Sequence, residues 1–189
     1  MRDSLPAVKN INLQNAIIVG YAGTAGTCYG INKNYAGNTI PPYSFCDSLK
    51  TELSKTMLKS IVFPNTTTMI GKKSFMNCDA ISTILFPPSV KIIDESAFES
   101  CDNLGCASFS KGLETIGKSA FFMCESLYSI EIPNTVISVG EMAFYSCDGA
   151  VTLTLSSSLK KLSKNSFVAC RLIKSVDIPS SVIIIEDRA

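Results

Sequence analysis

The most reactive side chains in this sequence are thiols, and five of them recur at one spacing. Cys78, Cys101, Cys124, Cys147 and Cys170 follow one another every 23 residues, in a chain of 189 residues with eight Cys and no His. Thiolates bind metal ions or exchange disulfides, but a structural metal site needs about four ligands at one place. The chain has no C-x-x-C pair, and one thiol per repeat does not build such a cluster. The spacing therefore predicts a ladder of five buried, reduced cysteines, and no metal site.

Two further patterns suggest chemistry, and both are weak. VGYAGTAGTCYG (residues 19–30) has spaced glycines, but no G-K-[ST] follows. We interpret it as a glycine-rich cap or irregular loop, and the adjoining YGINKNYAGN (29–38) as turns.

Glu131 and Asp177 lie two repeats apart, about 10 Å by strand spacing and near the carboxylate separation of glycosidases. Neither carboxylate would be desolvated on an open sheet, so we predict no enzyme activity, no catalytic residue and no cofactor.

The repeat aligns many columns besides the cysteines. Phe stands three residues before each Cys, and apolar residues stand three, six, eight, twelve and fifteen residues after it. One further register fits upstream, with Lys55 in the Cys position. A single unit of this length cannot bury its apolar edge, whereas stacked units bury a continuous core. The Phe column consists of Phe75, Phe98, Phe121, Phe144 and Phe167.

Each unit reads C-x-x-L-x-x-I-x-I-P-x-x-V-x-x-I-G-x-x-A-F-x-x. The alternation L-x-x-I-x-I predicts a strand, which Pro closes because it cannot donate to a ladder. V-x-x-I predicts a second short extended piece. Gly follows it at positions 71, 117 and 140, where a positive φ is cheap for glycine. We expect the remaining x-x-A-F-x-x-C to form one helical turn that buries the Phe.

These units resemble leucine-rich repeats of the BspA type, which occur in bacterial and protist surface proteins. The match covers about residues 55–189 and rests on the period, I-x-I-P, IG-x-x-A-F and the Cys. The resemblance implies an α/β repeat: a leucine-rich-repeat solenoid with short parallel strands, one per 23-residue coil, and short helical turns. It also implies binding or adhesion, with no catalytic residues to carry over. Ser110 and Ser156 replace Pro, and Asp94, Ser163 and Glu186 replace Gly.

The exposed side of the main strand is the predicted binding face. It is rich in hydroxyls and has no aromatic or Arg anchors in its outward columns, so the same residues also suit an ordinary strand surface. Glu131 and Asp177 bias it towards basic protein partners. The candidate residues are Ser60, Thr83, Leu85, Cys106, Ser108, Ser129, Glu131, Thr152, Thr154, Ser175 and Asp177, with Val62 in the same columns.

Charge and hydropathy restrict the classes of partner. The net charge is +1 with the two signs interspersed, which does not favour nucleic acid. No apolar run reaches the roughly 18 residues of a membrane span, and the N-terminus is a poor signal peptide. The sequence is compatible with two locations: the cytoplasm, or a cell surface if the chain is a fragment of a surface protein. The one N-x-[ST] sequon, at Asn65, is expected on an exposed turn.

The domain organisation follows from the register. We expect residues 1–50 to form an irregular N-terminal cap with a first incomplete coil, and residues 51–189 to form repeats that stop in mid-repeat. IPPYSF (40–45) matches IGKKSF (70–75) at a spacing of 30, and we expect the extra residues to form a longer helix in CDSLKTELSKTMLK (46–59). The open end indicates a fragment of a longer array, or self-association through that end.

One column alternates in sign. Lys72, Glu95, Lys118, Glu141, Lys164 and Asp187 follow one another from repeat to repeat. Stacked neighbours then meet as opposite charges, which we interpret as a device that fixes the register and not as a binding site.

Overall fold

A computed structural model of the protein describes residues 9–19, 21–27, 32–46 and 58–189. Most strands are two or three residues long, and they recur with the sequence period. The strands are β1 (Asn10–Asn12), β2 (Tyr21–Thr27), β3 (Asn32–Tyr35), β4 (Thr39–Ile40), β5 (Ser60–Val62), β6 (Met69–Ile70), β7 (Thr83–Leu85), β8 (Ile92–Ile93), β9 (Cys106–Ser108), β10 (Thr115–Ile116), β11 (Ser129–Glu131), β12 (Ser138–Val139), β13 (Thr152–Thr154), β14 (Lys161–Leu162) and β15 (Ile184–Ile185).

Apart from β2 and β3, the strands stack in parallel, each on the equivalent strand of a neighbouring coil. Ile84 of β7 lies opposite Ala107 of β9, at the offset of 23 residues that the sequence columns predict. The prediction of one strand per coil was incomplete, because V-x-x-I forms a second strand. These second strands build a continuous five-stranded sheet in the order β12-β10-β8-β6-β4. The chain is therefore a parallel β-solenoid, with the core between the two kinds of strand.

The predicted helical turn was wrong, since the described residues contain no helix. An α-helix needs successive N–H groups to bond within the chain, four residues back. Here alternate N–H groups bond to the next coil instead: those of Ser96 and Phe98 donate to the carbonyls of Lys118 and Ala120, at 2.9 and 2.8 Å. The N–H of Ala97, between them, bonds back to Asp94 at 3.3 Å. The segment is thus a run of turns tied to its neighbour.

The glycines that follow the second strand have a different role from the predicted one. None of Gly71, Gly117 and Gly140 adopts a positive φ. A Cβ on Gly117 would instead lie 2.7 Å from the carbonyl carbon of Asp94, so glycine is needed for close approach between coils. The left-handed conformation falls two residues later, as at Ser119 with φ 52°.

Two aromatic columns fill the core. Phe121 is fully buried and stacks on Phe98 and Phe144, with ring centroids 5.3 Å away on both sides. Its edge contact with Phe109, at 5.4 Å, joins it to the second column. The expected burial of the Phe column is confirmed except at Phe167, which is half-buried.

Residues 9–46 also contribute strands to the stack. β1 pairs in parallel with β5, and β4 pairs with β6 so that Ile40 lies opposite Ile70, at the 30-residue offset seen in the sequence. The helix expected in 46–59 falls almost wholly on residues 47–57, outside the described residues. Part of the stretch expected to form turns is instead strand β3, which pairs antiparallel with β2.

The alternating charges form separate pairs and not a continuous ladder. Lys72 binds Glu95 at 2.8 Å, and Lys118 binds Glu141 at 3.1 Å. Opposite charges of stacked coils therefore meet as predicted at these two places. Each pair is about half exposed, so each is worth at most about 1 kcal/mol.

The part of the chain that the structure describes contains no helix long and apolar enough to cross a membrane.

Candidate functional site

The first strand of each coil presents the predicted binding face, which we call the strand face. Its inward residues, such as Ile84 and Ile130, are buried, because side chains alternate along a strand. The outward residues point to solvent, and Leu85 is 65% exposed. All the predicted face residues are exposed except Ser129, which is half-buried. The stretch 173–179, which contains Ser175 and Asp177, forms no strand and is not paired with β13.

The strand face is split by grooves, which the sequence did not predict. Its strands pair two by two, as β1 with β5, β7 with β9 and β11 with β13. Between β9 and β11 lies a groove of about 250 Å³, with Ala107, Phe109 and Glu131 among its lining residues. Ala107 stands where equivalent coils carry Ile, Leu or Val, and its small side chain leaves room there. A wider gap of about 670 Å³ separates β13 from residues 172–177.

Two neighbouring hydroxyl groups on the strand face form a hydrogen-bonded chain that ends at Glu131. Thr152 Oγ1 donates to Ser129 Oγ at 2.9 Å, and Ser129 Oγ donates to Glu131 Oε1 at 3.1 Å. Glu131 and Asp177 form no ion pair within the described residues. The face therefore offers two carboxylates for a basic partner, while the hydroxyls of Ser129 and Thr152 are bonded within the face.

Tyr128 is an aromatic anchor that the sequence analysis missed. It lines the groove between β9 and β11 and is 64% exposed. It stands four residues after Cys124, in a column otherwise occupied by Ser, Gly, Val and Lys. The signal was present as a departure from its column, but that column lies just before the strand and outside the outward positions considered.

The buried thiols are structural, as predicted. Cys101 Sγ donates to the carbonyl of Phe75 at 3.1 Å, and Cys124 Sγ donates to that of Phe98, also at 3.1 Å. Burial raises the pKa of both thiols well above the usual range, so neither is a reactive thiolate. The described residues contain no group of three or more His, Cys, Asp or Glu that could hold a metal ion.

Cys106, which lies outside the column, and Cys170, the last member of it, differ from the buried thiols. Cys106 is exposed on the strand face, as its outward position predicts. Cys170 was expected to be buried and is only half-buried, because no further coil covers it in the structure.

Asn65, the residue of the sequon, is exposed in a turn, as expected.

The repeat units, their parallel stacking and the thiol ladder can now be compared with known proteins. The family model described as BspA type Leucine rich repeat region matches residues 38–130 and 103–189, in six copies. The chain belongs to this family. None of the curated proteins matches it.

Solved structures with the same fold come from bacteria. A leucine-rich repeat protein from Bacteroides ovatus is similar over 95% of this chain, with 25% identity and a TM-score of 0.74. The leucine-rich repeat protein of T. pallidum is similar over 76% of the chain, with 26% identity and a TM-score of 0.69. The chain spans 42% of the Bacteroides protein and 64% of the Treponema protein, so it is shorter than either relative.

Proposed function

We propose that this BspA-type chain is a non-enzymatic protein-binding module that serves adhesion, with the strand face as its binding surface. The observation that carries the proposal is the exposure of that face, because no described element packs over the outward side chains of its strands. Stacked repeats generally use such extended surfaces for recognition. A role in adhesion is also what the resemblance to the BspA-type repeats of surface proteins implies.

Binding by one copy is expected to be weak. The outward columns hold little apolar area, and of the two aromatic side chains that line the groove between β9 and β11, Tyr128 is exposed and Phe109 is half-buried. Strength then comes from repetition, since many copies on one surface raise the effective concentration without better contacts. The carboxylates of Glu131 and Asp177 favour basic partners.

The test compares the monomeric chain with the same chain clustered on beads. Retention is measured on surfaces coated with a basic protein, such as lysozyme, and with an acidic one, such as serum albumin. We expect clustering to raise retention on the basic surface steeply, and Glu131→Lys with Asp177→Lys to reduce it. Glu114→Lys with Asp187→Lys is the control, because it makes the same charge change away from the strand face. Tight monomeric binding that both charge reversals leave unchanged would refute the proposal.

A second candidate function is self-assembly into an array. The last coil, residues 170–189, exposes apolar side chains: Ile183 is 77% exposed and Ile185 64%. Such a surface fits another leucine-rich coil, from the same protein or from a second copy. Sedimentation velocity over a range of concentrations tests it, with association expected for the wild type and lost in Ile185→Lys. A monomer at every concentration would exclude it.

The compartment separates adhesion from an intracellular scaffold role. Biotinylation of intact cells that express the native protein should label a surface adhesin. Labelling only after lysis would favour the scaffold.

A further inference from the structure

A second apolar patch, whose residues are mostly half-buried, lies on the turn segments, away from the strand face. The rings of Phe122 and Tyr145 stack there, with centroids 5.1 Å apart and an interplanar angle of 16°. Met123 is 37% exposed beside them, and Met142 and Val168 are half-buried. These five residues come from three successive turn segments, 118–123, 141–146 and 164–169. We call them the Met–aromatic patch.

The two methionines of the patch are held in an unfavourable backbone conformation. Met123 has φ 58° and Met142 has φ 56°, both in the left-handed region. There the Cβ of an L-residue crowds a carbonyl oxygen, and Asn is better tolerated than a long side chain. The same backbone conformation recurs at these two positions in other coils, where it is adopted by Asn77, Ser100, Ser146 and Ala169 at the first, and by Tyr43, Lys73, Ser96, Ser119, Asn165 and Arg188 at the second.

The fold therefore does not require methionine at either place. Neither methionine is buried, so neither is needed to fill the core, and a role in binding accounts for apolar side chains at these positions. Methionine suits such a role, because its flexible thioether adapts to varied apolar partners.

The charges around the patch indicate the chemistry of the partner. Glu99 occupies the column of Phe122 one coil earlier, and Glu125 follows Met123 by two residues. Neither carboxylate forms an ion pair within the described residues, whereas Arg171 is bound to Asp148 at 3.3 Å. Lys164 flanks the patch on the Met142 side, so the acidic edge is the one next to Phe122 and Met123.

We propose that the Met–aromatic patch binds a peptide segment of a partner protein that carries aliphatic side chains next to Arg or Lys. The aliphatic side chains would cover the methionines and the stacked rings. The guanidinium or ammonium group would reach Glu99 and Glu125, and Arg can also stack on an aromatic face. The carboxylates disfavour an anionic membrane surface. The patch shares no residue with the strand face, so this inference stands independently of the proposed function.

Methyl NMR on the whole chain tests the proposal directly. The protein is labelled with ¹³C-methyl methionine and titrated with a short synthetic peptide of leucine and arginine. We expect the methyl signals of Met123 and Met142 to shift, while Met69 on the second strand does not. The same peptide with Glu in place of Arg should leave all the signals in place.

Substitutions separate binding from folding. The double variant Met123→Asn with Met142→Asn should bind the peptide with an affinity about tenfold lower, or lower still. The same change should maintain or raise the melting temperature, because Asn tolerates the left-handed conformation. Met76→Asn is the matched control, since it replaces a half-buried methionine of an earlier turn segment and should leave affinity unchanged.

Four results of the peptide and vesicle experiments would overturn the proposal. They are unshifted Met123 and Met142 signals, equal binding of the Glu peptide, unchanged affinity in the double variant, and binding of phosphatidylserine vesicles in place of the peptide. Self-association that the double variant abolishes would assign the patch to a second copy of the chain and would overturn it too.

Discussion

Removal of one ring from the aromatic core should destabilise the whole stack. In Phe121→Ala, a fully buried side chain is lost together with two face-to-face contacts at 5.3 Å and one edge contact at 5.4 Å. Truncation of a buried Phe costs about 3–5 kcal/mol, and each aromatic pair adds about 0.5–1.5 kcal/mol beyond burial. With three such contacts, we expect a loss near the top of the range, about 5 kcal/mol.

Phe167→Ala is the matched control. Phe167 lies in the same column, but it is half-buried and stacks on Phe144 alone, at 5.6 Å. Urea denaturation followed by circular dichroism should show a clearly smaller loss for this variant. Because each repeat contacts only its neighbours, hydrogen exchange in Phe121→Ala should accelerate on both sides of the missing ring. Equal losses in the two variants would refute the reasoning, since position within the ring stack would then not matter.

Three more predictions concern the thiols and the surface charges. Under native conditions a maleimide should label Cys106 first, then Cys170, and Cys101 and Cys124 last; early labelling of Cys124 would contradict the buried ladder. Burial raises the pKa of Cys101 and Cys124, so both keep their protons where unfolded thiols, of pKa about 8.5, ionise. The free energy of unfolding should therefore be highest below about pH 8.5 and fall above it, by up to about 1.4 kcal/mol per pH unit for each thiol. Denaturation in reducing buffer at about pH 8 and about pH 10 measures this fall, which Cys101→Ala with Cys124→Ala should reduce. Lys118→Glu places two carboxylates side by side at Glu141 and should lower the free energy of unfolding by at most about 1 kcal/mol. Thermal melts should show that adding Glu141→Lys restores this stability.

The sequence predicted the parts of the fold that depend on the period. Once equivalent residues must stack at one offset, the inward columns follow, which is why Ile84, Phe121 and Cys124 lie where they were expected. The outward position of Cys106 follows from strand alternation in the same way. These predictions need only the repeat and the apolar pattern, and no knowledge of individual contacts.

The turn segments could not be predicted in this way. A-F-x-x-C has the spacing of a helical turn, but alternate N–H groups there bond to the next coil, as that of Phe98 does to Ala120. Local helix propensity depends only on residues close in the sequence, so it does not include a bond between residues 22 positions apart. The prediction based on it was therefore a helical turn. The left-handed residues are not glycines either, so Ser96 and Ser119 carried no local signal of their conformation.

Departures from the columns carry the information that the repeat itself does not. The consensus residues are the ones that stacking requires, so they are shared by every coil and cannot distinguish one partner from another. Tyr128, Ala107, Met123 and Met142 differ from the other residues of their columns, and none of them is buried. Tyr128 and Ala107 line a groove on the strand face, while the methionines lie in left-handed positions on the turn segments. If selection acted on stability alone, these positions would return to the residues of their columns. Specificity in this solenoid should therefore reside in such exceptions, and variants that restore the column residue should stabilise the chain while they weaken binding.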